Sequence, residues 1–172
     1  YKQTGEKFRG VLYGGFMLTS SGVKVIEYNA RFGDPEAMNV LSLLETDFMD
    51  ICKAITSGSL KDLKIVFSHK ATVCKYVVPE GYPNKPSRGF EVVCNPNLGG
   101  LYLAAVQEKN GLITATGSRT AAFIGIDRDI VVAERVAEKG ASSVGGDLFH
   151  RKDIGTSALI AQRVKHMKGL LS

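Results

Sequence analysis

The sequence is poor in the residues on which several classes of protein depend. It contains no tryptophan, three cysteines and five prolines among 172 residues. The cysteines, Cys52, Cys74 and Cys94, are widely spaced and form no Cys-x-x-Cys pair, so neither a disulfide scaffold nor a zinc site is indicated. Reduced thiols are typical of a cytoplasmic protein, which is the location we expect.

Long apolar runs are also absent. No stretch approaches about 18 continuous apolar residues, which argues against a membrane-spanning helix. The first ten residues are polar and basic, unlike a signal peptide. The chain begins at Tyr1 rather than Met, and we expect it to be a processed or truncated piece.

Positively charged residues are in modest excess, but they are not clustered in the sequence. The net charge is +5, and the lysines and arginines are spread along the chain without the aromatic and basic motifs of RNA-binding proteins. This pattern predicts neither a nucleic-acid nor a membrane partner. It is compatible with a surface around anionic small molecules.

The first part of the chain has the pattern of a hairpin followed by helices. Apolar residues make up 44% of the sequence, which is enough for a sizeable core. Two strand-like runs, residues 8–19 and 23–29, flank a short turn and predict a β-hairpin. We expect one helix with Asp34 as N-cap and Pro35 as its first residue, and a second helix beginning near Asp47.

The second part of the chain has a β-rich pattern. The predicted elements are strands over residues 71–78, 90–94, 101–107, 112–116 and 119–126, a helix over 127–139, and a last helix from about Ile154 or Thr156 to Lys168. Asn110-Gly111 predicts a hairpin turn, and Gly140 is expected just beyond the end of a helix. The sequence therefore predicts an α+β fold with two domains, residues 1–60 and 66–172.

One strand carries a candidate constellation for chemistry. Because side chains alternate along a strand, Glu27, Asn29 and, if the strand continues, Arg31 are expected on one face, about 6.5–7 Å apart from one to the next. Carboxylate and amide oxygens suit Mg²⁺ shared with nucleotide phosphates, and arginine can offset charge on a phosphoryl group. A half-exposed strand whose polar residues face water is the alternative. The opposite face is expected to pack on a core and carries Ile26, Tyr28 and Ala30.

The residues that follow carry a resemblance to a known family. The run Arg31-Phe32-Gly33-Asp34-Pro35-Glu36-Ala37-Met38 resembles the signature of the phosphoribosylamine–glycine ligase family. Residues 25–29 resemble the metal-binding strand of the ATP-grasp superfamily, to which that family belongs. Three further segments are similar to parts of the same family: residues 10–19, 117–119 and 149–155. The resemblance implies the C-terminal part of an ATP-grasp domain, a β-hairpin plus helices, followed by a β-rich module with two helices.

The resemblance also implies an activity and roles for five residues. The family joins phosphoribosylamine to glycine with ATP, through an acyl phosphate, in purine biosynthesis. Glu27 and Asn29 match its Mg²⁺ or Mn²⁺ ligands, which would also contact the nucleotide. Arg31 would lie near the γ-phosphate or acyl phosphate, and Asp34 and Glu36 near the substrate amines.

Two departures from the family pattern limit what this chain alone can do. Many ATP-grasp enzymes carry an acidic metal ligand on the preceding strand, where residues 14–16 offer no carboxylate. Family chains are more than twice as long, and this sequence lacks the N-terminal domains that hold phosphoribosylamine and adenine. We therefore expect a fragment that is inactive alone, with another ATP-grasp carboxylase or ligase, or a non-catalytic binding module, as alternatives. His150 and Arg151 fit either a phosphate contact or a surface turn.

Overall fold

The computed structural model describes residues 2–95 and 99–171. These residues form two compact units: one comprises Lys70–Lys165, and the other comprises the chain up to His69 together with the residues from His166. Within the described residues, no helix has the length and apolar character needed to cross a membrane.

The first unit begins with a hairpin followed by short helices. Its elements are β1 (Tyr13–Thr19), β2 (Gly22–Asn29), α1 (Glu36–Leu41), α2 (Phe48–Ser57) and a 3₁₀ helix (Leu60–Asp62). The predicted start of α2 is confirmed, because Asp47 is its N-cap and its carboxylate accepts a hydrogen bond from the backbone N–H of Met49 at 2.7 Å. The helix ends at Gly58, whose φ of 76° is a left-handed conformation that glycine adopts readily.

The following part of the chain forms an antiparallel sheet covered by a helix. Its elements are β3 (Ala71–Pro79), β4 (Leu101–Leu103), β5 (Val106–Lys109), β6 (Leu112–Ala115), β7 (Ala121–Asp127), α3 (Ile130–Ala141), β8 (Leu148–His150) and α4 (Ser157–Leu171). The strand order in the main sheet is β4-β7-β3-β8, and β5 pairs with β6 as a separate hairpin. The turn of that hairpin has Asn110 and Gly111 at φ values of 55° and 78°, as an Asn-Gly turn requires. The predicted α+β class is confirmed.

The core of the second unit lies between α3 and the sheet. Val73 of β3 packs with Ala133 and Ala137 of α3, and all three are buried. Gly125 of β7 makes this close packing possible, because a Cβ at that position would overlap the carbonyl oxygen of Ala133. Small residues on both surfaces therefore set the distance between helix and strand.

Three predictions for elements of the second unit are wrong. Gly140 lies inside α3, which ends at Ala141, and a Cβ on Gly140 would overlap the ring of Phe123. The glycine is thus a packing position rather than a helix terminator. Residues 90–94 form no regular strand and make only isolated bridges, Glu91 with Thr114 and Val93 with Gly145. The predicted strand over residues 101–107 is interrupted between β4 and β5.

Candidate functional site

The hairpin brings two of the predicted site residues into contact. In the antiparallel register, Asn29 pairs with Tyr13 and Glu27 pairs with Gly15. The side-chain amide of Asn29 donates a hydrogen bond of 2.9 Å to Oε1 of Glu27. The period-two alternation of β2 therefore places the carboxylate and the amide on one face, as expected.

A β-bulge lies directly beside this pair. The register shifts between Gly15 and Phe16, so Ile26 of β2 has no partner on β1. Gly14 leaves room for Phe16 and Tyr28, whose rings pack edge to face at 5.8 Å; a Cβ on Gly14 would lie 2.6 Å from the Phe16 ring. Gly15 thus lies at the bulge, and Gly14 lies where the ring of Phe16 approaches the backbone closely.

The face predicted to pack on a core is not covered within the described residues. Ile26 and Tyr28 are 61% and 59% exposed, and Ala30 is also exposed. The expectation of a core on this side of the hairpin is therefore wrong for the chain as it stands. The bulge at Ile26 also interrupts the simple alternation on which that expectation rested.

Arg31 is not brought to the Glu27 and Asn29 pair by any described hydrogen bond. β2 ends at Asn29, so the alternation does not continue to Arg31. The exposed guanidinium instead donates a hydrogen bond of 2.6 Å to the carbonyl oxygen of Phe32. Arg31 lies two residues beyond the pair, in a segment with no regular secondary structure.

The helix after Arg31 does not begin as predicted. α1 spans Glu36–Leu41, and its N-cap is Pro35, with no hydrogen bond from a capping side chain. The peptide bond between Asp34 and Pro35 is cis. The N–H of Ala37 donates to the carbonyl oxygen of Gly33 at 3.0 Å, so a backbone oxygen serves the first turn in place of the Asp34 carboxylate. Asp34 remains exposed.

Glu36 contacts a residue that the sequence reasoning missed. The hydroxyl of Tyr13, at the start of β1, donates a hydrogen bond of 3.1 Å to Oε1 of Glu36. This hydrogen bond, desolvation and the negative charges of Glu36 and Glu27 all raise the pKa of Tyr13. The phenol therefore stays protonated at neutral pH and serves as the donor. The alternation of side chains along a strand does not predict a contact between two residues that are 23 positions apart in the sequence.

The donor set at this site fits a hard divalent cation held by few protein ligands. The described residues contain no group of three or more His, Cys, Asp or Glu side chains that could hold a metal ion. Glu27 and Asn29 together offer carboxylate and amide oxygens once the amide rotates its oxygen toward the cation. Mg²⁺ is commonly bound by one or two protein oxygens with substrate phosphates and water completing its coordination.

Residues 150 and 151 take part in contacts within the second unit. Nε2 of His150 lies 3.1 Å from Oε1 of Glu138, and the guanidinium of Arg151 pairs with Asp153 at 2.7 Å. Burial raises the pKa of Glu138, but hydrogen bonds from Lys75 and His150 outweigh it and bring the pKa to about 2. His150 and Arg151 thus have intramolecular partners of their own.

Two family models match the chain. The model described as "Phosphoribosylglycinamide synthetase, C domain" matches residues 72–157. The model described as "Phosphoribosylglycinamide synthetase, ATP-grasp (A) domain" matches residues 1–37. The second match contains the hairpin, the Glu27 and Asn29 pair and the segment up to Glu36.

Named relatives agree with these matches. The chain is 53% identical over 171 residues to phosphoribosylamine--glycine ligase of Methanosarcina barkeri and covers 39% of its length. It is 48% identical over 168 residues to the protein of the same name from Methanocaldococcus jannaschii, covering 38% of it. A crystal structure of phosphoribosylamine--glycine ligase from Thermotoga maritima is similar, with a TM-score of 0.75 and 28% identity, over 88% of this chain and 38% of that one. The chain thus spans about two fifths of the length of the curated relatives it matches.

Proposed function

The chain belongs to the phosphoribosylglycinamide synthetase family, and from this premise we propose that it is the C-terminal part of a phosphoribosylamine–glycine ligase. The observation that carries the proposal is the hydrogen-bonded pair of Glu27 and Asn29, followed at once by the Arg31–Glu36 segment. The match of residues 1–37 to the ATP-grasp domain supports ATP as a co-substrate. It also favours this activity over that of another ATP-grasp carboxylase and over a non-catalytic module.

In the proposed reaction, glycine is activated before it is joined to the amine. A carboxylate oxygen of glycine attacks the γ-phosphorus of ATP, the bond to the bridging oxygen breaks, and ADP leaves. The amine of phosphoribosylamine then attacks the acyl carbon of glycyl phosphate. Inorganic phosphate leaves, the amine loses a proton, and glycinamide ribonucleotide is formed.

We assign roles in this reaction to five side chains. Glu27 and Asn29 would hold Mg²⁺ or Mn²⁺, which supplies positive charge against the nucleotide phosphates when bound. Arg31 would offset negative charge on the transferred phosphoryl group or the acyl phosphate. Asp34 and Glu36, both exposed carboxylates, would accept hydrogen bonds from the substrate amines.

The chain is proposed to act together with other parts of the same enzyme. It covers 39% of the Methanosarcina barkeri relative, which supports partner domains that complete the sites for adenine and phosphoribosylamine. We expect no turnover from the 172-residue chain by itself. A cytoplasmic location is part of this proposal, supported by the low number and wide spacing of the cysteines Cys52, Cys74 and Cys94, which form no Cys-x-x-Cys pair.

The metal assignment is tested by Glu27→Gln in the protein encoded by the full gene. The change keeps the shape of the side chain and removes its charge, so we expect kcat/KM for ATP-dependent ligation to fall about 100-fold, or about 3 kcal/mol. The concentration of Mg²⁺ required for half-maximal rate should also rise. Glu45→Gln, another exposed carboxylate of the first unit, is the matched control.

Three results would contradict the proposed function or its assignments. Wild-type-like ligation by Glu27→Gln would remove the metal assignment. Stimulation of ADP release by bicarbonate in place of glycine would identify a carboxylase instead. Full ligase activity of the isolated 172-residue chain would refute the view that partner domains are needed.

A further inference from the structure

Tyr13 connects the β1–β2 hairpin to the segment that carries Glu36. It begins β1 and lies opposite Asn29 in the strand register. Its hydroxyl reaches across to Oε1 of Glu36 at 3.1 Å. Among the described residues, the hydrogen bond from the Tyr13 hydroxyl is therefore the contact by which the hairpin positions the Glu36 carboxylate.

Gly33 lies between the tyrosine ring and the carboxylate. It is buried, and a Cβ there would lie 2.5 Å from Oε2 of Glu36 and 2.9 Å from two ring carbons of Tyr13. These distances are shorter than a side chain tolerates without a shift of its neighbours. The absence of a side chain at residue 33 is thus what lets the tyrosine ring and the carboxylate approach each other.

The contact restricts one carboxylate oxygen and leaves the other available. An exposed glutamate samples several rotamers, and ordering it requires a contact that offsets the lost freedom. Tyr13 occupies Oε1, whereas Oε2 accepts no hydrogen bond from the described residues. An ordered carboxylate with one unoccupied oxygen is suited to accept a hydrogen bond from an amine or ammonium group.

We propose that Tyr13 is a positioning residue, which orients the Glu36 carboxylate to receive an amine-bearing substrate. The inference rests on the proposed function, since it takes the substrate amines from that reaction. It adds a residue outside the Arg31–Glu36 segment to the site. It also explains why residue 33 must be small.

The test is Tyr13→Phe in the protein encoded by the full gene. Loss of a hydrogen bond to an exposed charged group should raise KM for glycine or phosphoribosylamine about tenfold. KM for ATP should not change, because the substitution leaves Glu27 and Asn29 in place. Tyr28→Phe is the matched control: it removes a hydroxyl of the same hairpin that makes no hydrogen bond to the described residues.

A double-variant cycle separates positioning from general stability. With Glu36→Gln already present, Tyr13→Phe should cause no further rise in KM, because the two residues act through one contact. If Tyr13→Phe, Tyr28→Phe and the wild-type protein have equal melting temperatures, folding is unaffected by the loss of either hydroxyl. Additive effects in the cycle, or unchanged KM values for both amines, would overturn the inference.

The outcomes distinguish failure of this inference from failure of the proposed function. If the wild-type protein performs no glycine-dependent ligation, the proposed function fails and the role of Tyr13 fails with it. If Glu27→Gln and Glu36→Gln impair ligation but Tyr13→Phe does not, only the positioning role is refuted.

Discussion

Lys75 provides a quantitative test of what stabilises the second unit. Its side chain has no solvent exposure. Its ammonium group donates to Glu134 and Glu138, each at 2.6 Å, and to the carbonyl oxygen of Lys152 at 2.9 Å. An ammonium group has three donors, so every one of them is used. The network connects β3, α3 and the segment after β8.

Substitution of Lys75 by Met would keep a long apolar side chain and remove the charge. The carboxylates of Glu134 and Glu138 would lose their cation, and the carbonyl of Lys152 would lose its donor. Breaking a buried ion pair costs about 3–5 kcal/mol. Because the glutamate side chains are 14% and 29% exposed, water compensates in part, and we expect a loss near the lower limit, about 3 kcal/mol.

Hydrogen exchange of the β3 and β7 amides in a urea gradient measures this loss in the second unit itself. A loss of about 3 kcal/mol corresponds to roughly 100-fold faster exchange through unfolding. Arg151→Met is the matched control in the same unit, since Arg151 is 61% exposed and pairs with Asp153 at 2.7 Å. Its exchange rates should stay within about threefold of those of the wild type. The argument for a compensated buried charge is refuted if the Lys75 and Arg151 variants show the same small change.

Three further predictions follow from single contacts. Because the pKa of Glu138 is lowered from 4.5 to about 2, its contribution to stability should be complete above about pH 4.5 and lost as the pH falls toward 2. Urea midpoints at pH 5 and 3 should show this loss in the wild type and a smaller loss in Glu138→Gln, in which Asp153, whose pKa Arg151 also lowers, still contributes. Gly125→Ala should destabilise the second unit by about 1–3 kcal/mol in urea denaturation, because its methyl group would overlap Ala133. Gly99→Ala, where an added Cβ meets no atom of the described residues within 4 Å, should change stability by less than about 0.5 kcal/mol. Gly33→Ala should raise KM for the amine substrates as Tyr13→Phe does, and unchanged kinetics would contradict the packing argument.

Local patterns predicted the hairpin and the meeting of Glu27 with Asn29. Both depend on the alternation of side chains along one strand, which is a property of neighbouring residues. The same rule does not extend to Arg31, because β2 ends at Asn29 and alternation has no meaning beyond a strand. It failed for Ile26, where a bulge adds a residue that the one-letter pattern does not mark.

Contacts between distant residues account for most of what the sequence did not predict. Gly140 has the spacing of a helix end, yet Phe123 on another element decides its role. Asp34 is a favourable N-cap residue by type, but the carbonyl of Gly33 already satisfies the N–H of Ala37. The preference of Gly140 was thus overridden by a partner distant in sequence, whereas the preference of Asp34 was overridden by a neighbouring backbone oxygen.

The Lys75 network, by contrast, can be inferred from the pattern of residues in the sequence. In β3, Val73, Lys75 and Val77 share one face by alternation, and all three are buried. A lysine between two core valines requires a compensating charge. Glu134 and Glu138 are four residues apart on α3, a like-charge spacing that is unfavourable on an isolated helix. A buried cation between them removes that repulsion, so the two unfavourable patterns together predict a contact between β3 and α3 that neither predicts alone.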